Sequence, residues 1–218
     1  MKNLINFYLQ KHIRLDVKIS IFVLILALNF NSLTKADDIR DFEIEGISIG
    51  DSLLEHDKTI GVTIEDLKSF KLAYYPNSKK FAGLSIKNMG NFKQYESVQF
   101  HIDPNNYKIY AISGKIKSPF KNKLDKCFEK MEIVFDELKD LFPNAQSIKG
   151  EKKSHRADKT GNSLTKNYRF KLKDGMIRID CNDWSENHKD SNGRTPADTF
   201  MVSIVTKKLA EWINNEAY

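Results

Sequence analysis

Leu164-Thr165-Lys166-Asn167-Tyr168-Arg169-Phe170-Lys171-Leu172-Lys173-Asp174-Gly175-Met176-Ile177-Arg178-Ile179-Asp180-Cys181 is the stretch whose pattern is most decisive for the fold. On both sides of Asp174-Gly175 apolar residues alternate with polar ones, the period of a half-buried strand, and Asp-Gly is a strong signal for a two-residue hairpin turn. With Lys173 paired to Met176, Leu172 falls opposite Ile177, Phe170 opposite Ile179 and Tyr168 opposite Cys181. All six then share one face. The other face carries Arg169 opposite Asp180 and Lys171 opposite Arg178, so it is expected to be wet and basic.

A sheet with one apolar face needs a cover, and the segment at 122–142 supplies it. Leu124, Cys127, Phe128, Met131, Val134, Phe135, Leu138, Leu141 and Phe142 recur at spacings of three and four, one broad stripe of a helix, and Pro143 ends it. Beyond the hairpin, residues 199–206 read as a strand with Phe200, Val202 and Ile204 on one side. A closing helix contains Leu209, Trp212 and Ile213.

Upstream of the long helix, three strands are expected at 81–87, 97–102 and 107–116. Asp103-Pro104-Asn105-Asn106 forms the turn between the last two. Before them come a strand at 42–49, a helix opening on Leu53 and Leu54 and interrupted at Gly61, and a helix capped by Thr63 and running to Phe70. Helix followed by three strands occurs twice. The predicted class is α+β, an antiparallel sheet packed on helices, with two tandem helix-plus-three-strand units as the simplest arrangement.

Residues 1–36 read as a secretory leader. Lys2, Lys11, Arg14 and Lys18 precede an apolar run at 19–28, and Thr34-Lys35-Ala36 suits a cut after Ala36. The competing reading is an uncleaved anchor, but Asn29 and Asn31 interrupt a run shorter than the roughly 20 apolar residues that a spanning helix needs. The leader holds no cysteine for lipid attachment. The remainder, 37–218, is expected to be one domain, and no second apolar segment in it is long enough to span a bilayer. The leader carries five of the 35 basic and one of the 29 acidic residues, leaving 30 against 28. The pI of about 9.1 is thus largely the leader's, and nucleic acid is not an expected partner.

Cys127 and Cys181 are the only cysteines. One lies on the helix stripe and the other on the apolar face of the hairpin, and export places both where disulfides persist. A Cys127–Cys181 bridge is expected, with Cα atoms within about 7 Å; the competing state is two buried free thiols. Catalytic signatures such as G-x-S-x-G, H-E-x-x-H, a Walker loop or a dinucleotide fingerprint are absent from the sequence. His56, His101, His155 and His188 do not stand at metal-ligand spacing, so no metal or cofactor is expected. Asp190-Ser191-Asn192-Gly193 lacks the remaining ligands of a calcium loop and reads as a turn.

Two long polar segments, 144–163 and 182–198, must leave the hairpin from the same end, because Leu164 starts it and Cys181 ends it. The first holds Lys149, Lys152, Lys153, His155, Arg156 and Lys159 against Glu151 and Asp158. The second offers Asp183, Trp184 and His188. Lys152, Lys153, His155, Arg156, Trp184 and His188 are the candidate binding rim for an anionic or sugar-like ligand. The competing reading is two solvated loops. Convergence of His155, Asp158, Asp183 and His188 would favour an enzyme instead.

Ile39-Arg40-Asp41-Phe42, continuing from Ile44-Glu45-Gly46-Ile47-Ser48-Ile49 to Gly50-Asp51-Ser52-Leu53-Leu54, together with Cys181-Asn182-Asp183-Trp184-Ser185 and the ending Trp212-Ile213-Asn214-Asn215-Glu216-Ala217-Tyr218, resembles a group of small uncharacterised exported proteins of marine bacteria. That group brings no activity and no functional residue. In topology alone the chain looks like the fold of outer-membrane assembly lipoproteins and β-lactamase inhibitors, which implies tandem units that work by binding. The expected function is therefore a periplasmic or secreted binding or envelope-associated protein without a catalytic signature. The alternatives are a hydrolase or metal-dependent enzyme using the two-loop rim, and a structural domain that binds another envelope protein.

Overall fold

Alternation of apolar and polar residues, repeated along strand after strand, builds one nine-stranded antiparallel sheet in the computed structural model, which describes residues 38–87, 91–117, 120, 123–190 and 193–218. The leader expected over 1–36 lies outside the described residues, as does Asn122 at the expected start of the long helix. The class is α+β, as the pattern predicts.

The strands are β1 (Ala73–Tyr75), β2 (Ser78–Lys87), β3 (Ser97–Ile102), β4 (Ile109–Ile116), β5 (Gln146–Lys149), β6 (Lys153–Ser154), β7 (Leu164–Leu172), β8 (Gly175–Asp183) and β9 (Thr199–Thr206). The helices are α1 (Asp57–Ile60), α2 (Ile64–Ser69), α3 (Leu124–Leu141) and α4 (Lys207–Asn215). The spatial order is β1-β2-β3-β4-β9-β8-β7-β5, with β6 also paired to β7. Each half is thus a meander, and the halves join through their last strands, β4 against β9.

The two faces have different covers. Val98, Phe100, Ile112, Phe170, Ile177, Ile179, Val202 and Ile204 point to one side, where they meet Met131, Phe135 and Leu138 of α3 together with Ile60 and Leu67 from α1 and α2. Phe135 packs edge-on against Tyr168 and tilted against Phe170, with ring centroids 5.2 and 4.8 Å apart. Burying a ring of this size stabilises by about 1.5–3 kcal/mol. On the other side α4 lays Leu209 and Trp212 over Phe81 and Ala111, with Tyr75, Tyr110 and Val205 packed beside them, and no other described helix covers that face.

Cys127 of α3 and Cys181 of β8 are disulfide-bonded, with Cα atoms 6.0 Å apart. The bridge ties the cover to the central sheet, and closing a loop of 54 residues stabilises by about 4 kcal/mol in the chain-entropy model.

Three expectations need correction. The segment 42–49 is not a strand. A 3₁₀ turn at Ile39–Asp41 is followed by a tight hairpin in which Ile44 bridges Ile47 across Glu45 and Gly46, both at positive φ (57° and 74°). Ile44, Ile47 and Ile49 are buried all the same, so the apolar pattern reported burial and not extension. Second, 144–163 is not a plain loop: β5 and β6 inside it add to the edge of β7.

Third, the central hairpin turns one residue earlier than Asp-Gly suggests. Leu172 pairs with Gly175 across Lys173 and Asp174, Phe170 lies opposite Ile177, Tyr168 opposite Ile179 and Lys166 opposite Cys181. The shift is by two positions, so the six apolar side chains keep their face. Gly175 serves a purpose other than the turn: a Cβ there would stand 2.3 Å from the carbonyl oxygen of Val205 on β9. Close approach of two strands, not a left-handed dihedral, requires glycine here.

Candidate functional site

Leu164 pairs with Asp183, so the segments before β7 and after β8 do leave one end of the hairpin. There the chain brings three of the expected residues together. The ring of Trp184 lies 4.1 Å from that of His155 and 5.0 Å from that of His188, the latter nearly parallel at 17°. Both imidazoles and the indole are half-buried. The His155 ring is tilted by 48° to the indole while that of His188 stacks on it, so the indole touches both of these imidazoles.

The stack stands on Asp158. Its carboxylate is buried and accepts four hydrogen bonds, from the backbone N–H and hydroxyl of Thr160 (2.9 and 2.7 Å) and from those of Ser163 (2.9 and 2.6 Å). The Ser163 hydroxyl above all, then that of Thr160, holds this carboxyl well below the usual range. Ser163 Oγ in turn accepts the N–H of Ser185, which fastens the second segment to the first. His188 Nδ1 stands 3.6 Å from Asp158 Oδ1, an ion pair whenever the imidazole is protonated. Trp184 is anchored by its N–H, which donates to Asp198 at 2.8 Å.

Burial, then the charge of His188, pushes the His155 imidazole below its ordinary value. Its Nδ1 accepts the N–H of Ala157 at 3.2 Å, which leaves Nε2 as the protonated nitrogen of the neutral ring. The O–H of fully buried Ser163 donates to Asp158, as does that of Thr160, so these two hydroxyls serve to fix the carboxylate.

The basic residues are distributed differently from expectation. Lys152, Lys153 and Arg156 are all exposed. Lys152 acts on Asp183 and Arg156 on His155 through charge alone. Lys149 leaves the rim altogether: it is bound to Glu132 of α3, which also accepts the Tyr168 hydroxyl, and its Nζ lies 4.4 Å from the centre of the Phe135 ring. Asp183 does not join the cluster; burial, then Asp198, raises its carboxyl. Thr160, Ser163 and Asp198, which fix the stack, escape a reading of the sequence, although Asp158 followed by hydroxyls two and five residues on is the local signal of such a turn.

Asp190 accepts the N–H of Arg194 at 2.9 Å and its guanidinium at 2.9 and 3.1 Å; Ser191 and Asn192, the middle of the expected turn, lie outside the described residues. Among the described residues no three His, Cys, Asp or Glu side chains stand as a metal-binding group. No protein-family model, curated protein or solved structure matches the chain.

Proposed function

We propose that this is an exported, periplasmic or secreted, binding protein that recognises an anionic or sugar-like ligand at the His155–Trp184–His188 rim and performs no chemistry on it. The observation that carries the reading is the ring stack itself, two imidazoles on one indole, held by a buried carboxylate with four donors. Indole and imidazole edges supply apolar surface with polar tips, a composition suited to sugar rings and their charged substituents. Export is supported by the leader pattern and by the Cys127–Cys181 bridge, which persists in oxidising compartments. Among the described residues no helix is long and apolar enough to cross a membrane.

The test uses the fluorescence of Trp184 in a chain carrying Trp212→Phe. The indole N–H of Trp212 is buried without an acceptor, so this replacement removes an unsatisfied donor and is expected to be mild. Titration with a sulfated disaccharide should quench or shift the Trp184 emission, and His188→Ala should abolish the response. Lys152→Ala, Lys153→Ala and Arg156→Ala together should weaken it more at low salt than at high salt, because salt screens exposed charges. No response to either the sulfated sugar or its desulfated counterpart would count against the rim. Hydrolysis of a supplied ester or glycoside that is lost in His188→Ala would favour the enzyme reading instead.

A further inference from the structure

The face of the sheet that α4 leaves uncovered holds a second feature, independent of the rim. A depression of about 260 Å³ is lined on its floor by Gln99 and His101 of β3, Ser113 and Lys115 of β4, Ser203 of β9 and Arg178 of β8. Cross-strand register explains the grouping: Gln99, Ser113, Ser203 and Arg178 form one continuous row across four neighbouring strands. Leu209, fully buried, and half-buried Ile213 of α4 complete the lining, and Met201 and Val205 flank Ser203 on its two sides along β9.

The floor has more donors than the protein uses. The half-buried ammonium of Lys115 meets a neutral acceptor, Gln99 Oε1 at 3.1 Å, and has no carboxylate partner among the described residues. Lys87 and Lys117 add like charge to it, and burial together with these two cations pushes Lys115 below its ordinary value. Among the described residues neither Ser113 nor Ser203 gives its hydroxyl to a protein acceptor. Arg178 donates from Nη2 to Asp180 Oδ1 at 2.7 Å, while its buried Nε–H has no acceptor. Arg178 also lies directly opposite Arg169 of β7, a pairing of like charges that costs stability in a sheet. His101 does not add charge, because burial and the nearby Lys115 lower it to about 4 and its Nδ1 is engaged by the Tyr75 hydroxyl at 2.9 Å.

We infer that this depression binds the tetrahedral oxyanion head of a small organic anion, a phosphate or sulfate ester, between Lys115, Gln99, Ser113, Ser203 and Arg178, with its carbon body against Ile213 and Val205. Three or more head-group oxygens match donors arriving from four strands, whereas a carboxylate has too few oxygens to satisfy them. An unpaired, partly desolvated ammonium flanked by like charge is costly in the empty protein, and an anion removes that cost. The volume suits a body of a few carbons and excludes a polymer segment.

Calorimetric titration of the intact, disulfide-bonded chain with butyl phosphate, butyl sulfate, butyrate and inorganic phosphate, at constant ionic strength, tests the site. Butyl phosphate and butyl sulfate should both bind, and the phosphate ester should bind about tenfold more tightly than inorganic phosphate because its chain is buried against Ile213 and Val205. Lys115→Gln should weaken binding of both esters by about tenfold or more, the range for hydrogen bonds to charged groups. The same replacement should raise the melting temperature of the ligand-free chain, since it removes the buried like charge. Trp184→Ala should leave the affinity unchanged, so failure at the rim and failure here are distinguishable. Unaltered affinity in a folded Lys115→Gln chain, binding of butyrate as tight as that of butyl phosphate, or no binding of either ester would overturn the proposal. Arg178→Gln is a weaker test, because it leaves the buried Asp180 without its partner.

Discussion

The two faces of the sheet are built from the same strands and have opposite characters. Toward α3 the central positions of β3, β4, β9, β8 and β7 are fully buried aromatics and aliphatics, closed over by α1, α2 and the long helix that is bonded to β8 through Cys127 and Cys181. Toward α4 the helix packs on Phe81, Ala111, Tyr75, Tyr110 and Val205, and the rest of the face holds Gln99, Ser113, Lys115, Ser203, Arg178 and Asp180. Coverage on the first face is what a two-layer α+β domain needs for stability. A second helix of similar length on the other face would bury the lysine and arginine at a large desolvation cost. The stabilising core and the proposed anion site thus lie on opposite sides of one layer.

Breaking the covered face should have the largest effect. With Cys127→Ala and Cys181→Ala together, denaturant unfolding should show a loss of about 4 kcal/mol. A loss near zero would mean that α3 is held by its apolar stripe alone.

The uncovered face should register acid. The His101 imidazole is held down to about 4 against an ordinary 6.5, so the unfolded chain binds a proton that the folded one refuses between these values. Its contribution to stability is complete above pH 6.5 and is lost as pH falls toward 4, amounting to about 3 kcal/mol. Unfolding of the chain and of His101→Gln at a series of pH values should give a difference confined to that window. Asp180, raised chiefly by burial, has the opposite sign, so the variant comparison is needed to isolate the histidine.

Smaller still is the expected effect at the seam between β8 and β9. Gly175→Ala must displace the Val205 carbonyl, and a cost of about 2 kcal/mol is expected from the overpacking. Gly175 does not have a left-handed φ, so without the close approach of Val205 alanine there would be tolerated, and a change near zero would show that the β9 carbonyl yields. Smallest of all, Lys152→Ala, Lys153→Ala and Arg156→Ala should each shift stability by no more than about 0.5 kcal/mol, being exposed and away from caps and cores. A larger change would show that these side chains hold the rim instead of framing it.

Periodicity was enough for much of this. The stripe from Leu124 to Phe142, the alternation through β7, β8 and β9, and the Thr63 cap, whose Oγ accepts the Asp66 N–H at 3.1 Å, are local patterns with a local cause. Facing, together with the expected export of the only two cysteines, also paired Cys127 with Cys181, because a helix stripe and a strand face each have one direction in which to be buried. The rim was legible only in outline: a shared exit from the hairpin implied that His155, Trp184 and His188 are neighbours, but not that Asp158 and Ser163 hold them.

What tertiary structure alone decided is of another kind. The two-residue displacement of the hairpin register leaves every side chain on its predicted face, so the apolar pattern is blind to it; the fit of Gly175 beneath Val205 accompanies the observed register. The strands β5 and β6 carry no alternating apolar signal because their side chains are exposed, and they exist only as additions to the edge of β7. Lys115 and Arg178 stand 63 positions apart in the chain, and nothing in either neighbourhood refers to the other. They share one depression because β4 and β8 both pair with β9, and pairing between distant strands is set by which edges are left free once each half has folded into its meander.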